Sequence, residues 1–206
     1  MIEIVLLRHS ITAGNLEGRY IGSRTDEPLC PDGIALLENF VYPFVERIYV
    51  SPMKRCIQTA GLIWPEMSGH LQLVPELREC DFGIFENRNY QELSSNPDYQ
   101  AWIDSEGTLP FPGGEDPRNF KIRCQEAFAE IVASERKRET EASELHKRIR
   151  IGIVAHGGTI MAIMERYGEP GRSYYDYQVK NGKGYLLTPA DQDGRWNYRP
   201  VESAGL

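Results

Sequence analysis

Three short apolar segments of the chain have the character of buried strands. Residues 2–7 form a nearly continuous run rich in β-branched side chains, and residues 47–51 and 149–155 repeat this pattern. Short runs without polar alternation are typical of strands that are covered on both faces of a parallel sheet. Each run leads into polar residues whose side chains can take part in catalysis, so the ends of three strands can contribute to one site.

Amphipathic segments lie between these strands. The pattern predicts helices over residues 34–44 and 51–63, with Ser51 as the N-cap of the second helix and Pro52 at its first position. An alternation of strands and helices favours an α/β fold around a mainly parallel sheet. Such sheets bind ligands in the crevice beyond the carboxyl ends of their strands.

The remaining chain extends this fold. Residues 87–117 are rich in Pro, Gly, Asn and aromatic residues and predict an insertion over the crevice, whereas residues 119–148 predict a long, charged amphipathic helix. A strand is predicted over residues 184–188 and a turn at 193–194. Because 206 residues suit one domain, we expect residues 1–206 to fold as a single domain.

The composition of the chain excludes some kinds of binding partner and indicates a cellular compartment. A formal net charge of −7 argues against a nucleic-acid-binding protein, because affinity for a polyanion depends on clustered Lys and Arg. No apolar stretch reaches the ~18 residues that span a bilayer, and the first residues do not form a signal peptide. The four cysteines form no C-x-x-C pair, which indicates neither a zinc site nor a disulfide framework. We expect a cytoplasmic protein that binds neither nucleic acid nor membrane; its oligomeric state is left open.

Arg8 and His9 follow the first strand and suit phosphoryl transfer. A planar guanidinium group can bind two phosphate oxygens at once, and Arg55 would supply a second such group beside that of Arg8. A neutral imidazole is a competent nucleophile near neutral pH, so His9 is the candidate nucleophile. The alternative is that Arg8 and His9 simply end the strand in solvent. Since Arg and His would take the place of a cation, and no carboxylate cluster has ligand spacing, we predict no metal and no cofactor.

Five motifs favour the first interpretation because they occur together and in order. They are R-H-x-x-T-x-x-N at residues 8–15, S-P-M-x-R-x-x-Q-T-A at 51–60, L-R-E-x-D-F-G at 77–83, F-P-G-G-E at 111–115 and A-H-G-G-T at 155–159. The set resembles the histidine phosphatase superfamily, which includes cofactor-dependent phosphoglycerate mutases and α-ribazole phosphatases. The resemblance implies a phosphoglycerate mutase-like, three-layer α/β/α sandwich and a phosphohistidine at His9.

The resemblance also implies roles for other residues. Glu79 matches the family's acid, which protonates the leaving alkoxide; Asp81 is the second choice, and a surface ion pair with Arg78 is the structural alternative for Glu79. His156 would donate to the transferring oxygens, or would be a buried core histidine. The residues that would line the phosphate pocket are Asn15, Thr12, Gly22 and Gly157.

The sequence departs from the family at Ser10, where glycine usually follows the nucleophile, at Ile11, and at Asn87, where glycine is again usual. A Cβ on Ser10 could crowd the phosphate, or its hydroxyl could add a donor; Asn87 tolerates the positive φ that glycine serves. The chain looks most like α-ribazole phosphatases, which act on a precursor of cobalamin, so we expect hydrolysis of a small phosphorylated metabolite, α-ribazole phosphate being one candidate. The alternatives are a phosphoglycerate mutase-type transfer and a non-catalytic protein that binds phosphate ligands.

Overall fold

A computed structural model describes residues 1–141, 148–190 and 194–201. Its strands are β1 (Ile2–Arg8), β2 (Arg47–Val50), β3 (Leu71–Leu73), β4 (Ile149–Ala155), β5 (Gly168–Glu169), β6 (Gly184–Pro189) and β7 (Trp196–Pro200). They form one sheet in the order β3-β2-β4-β1-β6-β7-β5. Strand β6 is antiparallel to both of its neighbours, and the other pairs are parallel. The prediction of a mainly parallel sheet is confirmed.

Helices connect and cover the strands. They are α1 (Ala13–Leu16), α2 (Pro31–Glu38), α3 (Lys54–Ile63), α4 (Tyr90–Leu93), α5 (Pro97–Asp104), α6 (Pro117–Glu141) and α7 (Gly157–Tyr167). Short 3₁₀ helices occur over Pro65–His70, Pro75–Leu77, Gly83–Phe85 and Tyr174–Tyr177. Helices α4 and α5 lie within the segment 87–117, for which the sequence predicted an insertion.

Alternate side chains of β1 belong to two different cores. Ile4 and Leu6 pack in the core that includes residues of α6 and α7, whereas Val5 and Leu7 pack in the core that includes residues of α3. All four side chains are fully buried. Helices therefore cover both faces of the sheet, which confirms the predicted three-layer α/β/α sandwich.

The predicted helix over residues 34–44 is placed too far along the chain. The observed helix α2 begins at Pro31 and ends at Glu38. The side-chain amide of Asn39 donates to the carbonyl of Ala35 at 2.9 Å and occupies an acceptor in the last turn. Pro at the first position starts a helix readily, and a side chain that binds the last carbonyls ends it.

The predicted N-cap at Ser51 is wrong. Helix α3 begins at Lys54, and its N-cap residue is Met53, which makes no side-chain cap hydrogen bond. Ser51 instead forms a hydrogen bond of 2.8 Å between its Oγ and Nε2 of His156. The hydroxyl that the local pattern assigned to the helix N-cap therefore binds a residue far away in the sequence.

The predicted long helix agrees with α6 over most of its length. It begins two positions earlier than predicted, at Pro117, and is helical to Glu141. Residues 142–147, which the prediction also included, lie outside the described residues. The same holds for Asp193 of the predicted turn; Gly194 has a φ of 70°, as a turn residue should.

Candidate active site

The carboxyl ends of three neighbouring strands bring the predicted residues together. Arg8 of β1 pairs with Ala155 of β4, so His9 and His156 follow side by side. Val50 of β2 pairs with Val154, so Ser51 lies level with Ala155, and its Oγ lies 2.8 Å from Nε2 of His156. The imidazole rings of His9 and His156 have centroids 5.2 Å apart. The topology therefore creates one cluster from segments that lie far apart in the sequence.

His9 is held in a single tautomer by the backbone. Its Nδ1 lies 2.6 Å from the carbonyl oxygen of Ser10, and the ring is only 3% exposed. A carbonyl can only accept, so Nδ1 carries the hydrogen and Nε2 carries the lone pair. His9 also lines the main cavity of the described chain. Nε2 is consequently the nitrogen available for attack.

The surroundings keep His9 uncharged. Burial, followed by the positive charges of Arg55 and Arg8, lowers the pKa of His9 well below its usual 6.5, and the hydrogen bond to Ser10 opposes this only in part. A cation enclosed beside two other cations is unfavourable, so the imidazole stays neutral near pH 7. A neutral imidazole is the form in which histidine acts as a nucleophile.

Arg55 and His156 form an enclosed pair behind His9, and both are fully buried. Nε of Arg55 donates to Nδ1 of His156 at 3.2 Å, so that Nε2 of His156 carries the hydrogen and donates to Oγ of Ser51. Burial, and then the charge of Arg55, lowers the pKa of His156 well below 6.5. The sequence predicted that His156 donates to the transferring oxygens; here both of its ring nitrogens face protein partners and His156 does not line the cavity, so that role stays a prediction.

The guanidinium of Arg55 is anchored to the loop after β1. Its Nη1 donates to the carbonyl of Thr25 at 2.8 Å, and its Nη2 donates to the carbonyl of Gly22 at 3.0 Å. Arg8 is anchored differently: Nη1 donates to the carbonyl of Val179 at 2.9 Å, whereas Nε is buried and has no partner within the described residues. Arg8, which lines the cavity, therefore keeps donors for an anion there.

Glu79 lies in the same cavity with its carboxyl group almost enclosed. It is 7% exposed, Oε1 accepts from the N–H of Cys80 at 3.0 Å, and Oε2 accepts from the N–H of Gly158 at 3.0 Å. Burial raises the pKa of Glu79, against the effect of these two N–H groups and of the charges on Arg55 and Arg8. A carboxyl group that holds its proton to higher pH can act as an acid near neutrality.

Asp81, the second choice for the acid, makes structural contacts instead. One of its carboxylate oxygens accepts from the backbone N–H of Gly83 at 2.9 Å, and the other accepts from Nε of Arg24 at 3.0 Å. Asp81 does not line the cavity. Of the two carboxylates in this motif, only Glu79 faces the cluster around His9.

The remaining predicted residues divide into two groups. Asn15 and Gly157 line the cavity, as predicted. Thr12 is buried and caps α1, where its side chain accepts from the N–H of Asn15. Gly22 contributes its carbonyl to Arg55 and does not line the cavity. The first two can thus contact a ligand directly, whereas Thr12 supports Asn15 and Gly22 supports Arg55, which does not line the cavity.

The departures from the family pattern do not obstruct the site. The hydroxyl of Ser10 donates to the carbonyl of Gly33 at 2.6 Å, and its backbone N–H donates to Oγ1 of Thr59 at 2.9 Å. Ser10 is fully buried and does not line the cavity, so it neither crowds a phosphate nor adds a donor there. Asn87 has a φ of 58°, which confirms the conformation inferred from its place in the motif.

Two further residues support the site, and of these only Gly158, in the A-H-G-G-T motif, has a sequence signal. Nδ2 of Asn181 lies 3.1 Å from the carbonyl of His9, 3.2 Å from that of Ser10 and 3.0 Å from Oδ1 of Asn15. Gly158 holds Glu79, and a Cβ at its position would lie 2.5 Å from Oε1 of that residue. The Asn181-Gly182 pair predicts a turn, but nothing local indicates its contact with the nucleophile.

The cavity has a volume of about 640 Å³ and extends from His9 towards the segment 87–117, which contributes Trp102, Glu106 and Phe111 to its lining.

Within residues 1–141, 148–190 and 194–201, no three His, Cys, Asp or Glu side chains lie together as potential metal ligands. None of the helices in these ranges is both long and apolar enough to cross a membrane.

The sequence matches the histidine phosphatase superfamily (branch 1) over residues 4–199. The chain therefore belongs to this superfamily and is an enzyme of the phosphatase class. The resemblance inferred from the five motifs is confirmed.

Individual relatives agree with this assignment. The adenosylcobalamin/α-ribazole phosphatase of Escherichia coli (strain K12) is 26% identical over 88% of this chain and 87% of its own length. The metal-independent phosphoserine phosphatase of Arabidopsis thaliana is 29% identical over 80% of this chain and 68% of its own. In structure, the α-ribazole phosphatase of Shigella flexneri superimposes with a TM-score of 0.77 over 98% of this chain and 96% of its own, at 23% identity.

Proposed function

We propose that this protein is a metal-independent phosphomonoesterase that works through a phosphohistidine at His9. The observation that carries the proposal is the fixed, uncharged His9 beside an arginine with an unpaired donor and a carboxyl group whose pKa is raised. Phosphoryl transfer requires mainly positioning and neutralisation of charge, and these groups supply both.

In the first step, Nε2 of His9 attacks the phosphorus atom and the bond from phosphorus to the leaving oxygen breaks. Glu79 gives its proton to that oxygen, so the product alcohol leaves neutral and Glu79 becomes a carboxylate. Arg8 donates to the phosphoryl oxygens from the cavity side. Arg55, three of whose N–H groups bind His156, Thr25 and Gly22, is fully buried outside the lining of the cavity and adds its positive charge from behind.

In the second step, water attacks the phosphorus atom of the phosphohistidine. Glu79 now accepts a proton from that water, the bond from phosphorus to Nε2 breaks, and inorganic phosphate leaves. The enzyme returns to its starting state. We infer that His156 keeps Arg55 oriented, and that Asn15 and Gly157 complete the phosphate end of the cavity.

We propose α-ribazole 5′-phosphate as the first substrate to test, which would place the enzyme in cobalamin biosynthesis. The support is the names of the relatives from Escherichia coli and Shigella flexneri. The name of the Arabidopsis relative supports independence from metal and makes phosphoserine the second substrate to test.

The test measures phosphate release from p-nitrophenyl phosphate, α-ribazole 5′-phosphate, phosphoserine and 3-phosphoglycerate in the presence of a chelator. We expect chelator-resistant turnover that His9→Ala abolishes and His70→Ala, a variant of an exposed histidine, leaves intact. Rapid quenching at alkaline pH followed by intact-mass measurement should find one phosphoryl group on the wild type and none on His9→Ala. Inhibition by the chelator, or a folded wild type without turnover, would overturn the proposal. A resting enzyme that is already phosphorylated and needs a bisphosphate would indicate a mutase instead.

A further inference from the structure

Beyond the phosphate end, the cavity is bounded by a continuous aromatic surface. Four rings, which we call the aromatic wall, line it: Tyr20, Phe82, Trp102 and Phe111. Ring centroids lie 5.4 Å apart for Tyr20 and Phe82, 5.0 Å for Phe82 and Phe111, and 5.2 Å for Trp102 and Phe111. Rings at these separations support one another, so the surface is preorganised before a ligand arrives.

A second set of side chains adds to the lining of the cavity. Met161 of α7, Tyr174 and Tyr175 line the cavity beside the phosphate end. The hydroxyl of Tyr175 and the ring of Trp102 lie 2.9 and 3.1 Å from the position that a Cβ would take on Gly107. The aromatic wall and the tyrosine pair therefore meet at Gly107. They bound a chamber whose phosphate end is charged and whose remaining surface is mainly apolar.

The charged side chains around this chamber are poorly placed to receive a small ionic leaving group. Arg19 forms an ion pair with Glu92 at 2.8 Å, and Lys121 forms one with Glu165 at 2.8 Å. The other two, Glu106 and Arg118, are exposed. A carboxylate group pressed against the aromatic wall would lose its hydration without gaining a buried partner.

The volume of the chamber also favours a larger leaving group. About 640 Å³ falls within the range of about 300–1,000 Å³ in which pockets enclose most of a drug-sized ligand. We propose that the substrates of this site are phosphate monoesters whose leaving alcohol carries a flat aromatic ring system of about nucleoside size, which packs against the aromatic wall. This inference rests on the phosphatase function proposed above, and it is drawn from the walls of the cavity alone.

The test compares substrates that all release an alkoxide but differ in whether the leaving alcohol carries an aromatic ring system. Ribose 5-phosphate lacks the base that adenosine 5′-monophosphate and α-ribazole 5′-phosphate carry, and phosphoserine represents a small zwitterion. For the wild type, we expect kcat/KM for the better of the two aromatic substrates to exceed that for ribose 5-phosphate by at least about tenfold. Phosphoserine should rank with ribose 5-phosphate or below it.

Variants then test whether the aromatic wall and the tyrosine pair cause this preference. Trp102→Ala and Tyr175→Ala should each lower the ratio of kcat/KM between the aromatic substrate and ribose 5-phosphate, mainly through KM, whereas Tyr90→Ala should not. Tyr90 and Tyr175 are both highly exposed, at 64% and 61%, so they form a matched pair, and Tyr175→Ala keeps the test valid where loss of Trp102 harms folding. A wild type that hydrolyses ribose 5-phosphate or phosphoserine as efficiently as the aromatic substrates overturns this inference and leaves the phosphatase function standing. A folded wild type that hydrolyses none of these substrates and no p-nitrophenyl phosphate overturns the proposed function as well.

Discussion

At the scale of single residues, the proposed acid Glu79 should determine how activity depends on pH. Burial raises the pKa of Glu79, and its protonated form is the one that can protonate the leaving oxygen. The pKa of His9 is lowered well below 6.5, so His9 stays neutral through the same range. The first phosphoryl transfer should therefore slow as the pH rises through the raised pKa of Glu79, and not because His9 titrates.

The variant that tests this is Glu79→Gln. We expect kcat/KM for an alkyl phosphate to fall by about 10²–10⁴-fold and its alkaline decline to disappear. The loss should be much smaller for p-nitrophenyl phosphate, because its phenolate leaves without a proton. Asp81→Asn serves as the control and should keep the alkaline decline. Equal losses for both substrates, with the decline retained, would show that Glu79 is not the acid.

At the scale of elements, the first turn of α7 positions the acid through Gly158. A Cβ on Gly158 would lie 2.5 Å from Oε1 of Glu79 and 3.2 Å from the ring of Phe120. Its φ is not in the left-handed region, so alanine suits the helix and favours it by up to about 1 kcal/mol. Gly158→Ala should therefore keep the fold but displace Glu79.

We expect Gly158→Ala to lower kcat/KM for alkyl phosphates by at least about tenfold, a difference of ~1.4 kcal/mol in the barrier, and to affect p-nitrophenyl phosphate less. The matched control is Gly61→Ala in α3, where the nearest atom to a new Cβ is 3.9 Å away. That variant should keep full activity and at least the stability of the wild type. Activity of Gly158→Ala equal to that of Gly61→Ala would contradict the role given to this turn.

The elements also show which features a sequence can predict. The strand runs, the order of strands and helices, and the motifs around His9 have local causes, so they were predictable from neighbouring residues. Ser51 has the residue type of a helix cap, yet it binds His156, 105 positions away. The contacts of Asn181 with the turn after β1 depend on the packing of distant segments in the same way. Contacts of this kind become visible only once the sheet has formed.

At the scale of the whole molecule, the sheet joins the beginning and end of the chain. Strand β1 lies between β4 and β6, and its residues pair with both along most of its length. Neither half of the sheet is complete without the other, which supports our interpretation of residues 1–206 as one domain. A chain built in this way should unfold in a single cooperative transition.

The enclosed histidines should make that transition depend on pH. The pKa values of His9 and His156 are lowered in the folded chain, so below pH 6.5 the unfolded chain binds two protons that the folded chain excludes, and stability falls as the pH falls. Glu79, whose raised pKa favours the folded chain at low pH, offsets at most one of them. Because two protons outweigh one, the free energy of unfolding should fall as the pH drops below 6.5, with a slope that urea denaturation followed by fluorescence and circular dichroism measures. His9→Gln should reduce this slope and His70→Gln, a change at an exposed position, should not; a wild type equally stable at pH 7 and pH 5 would mean that the two imidazoles take up protons within the folded site.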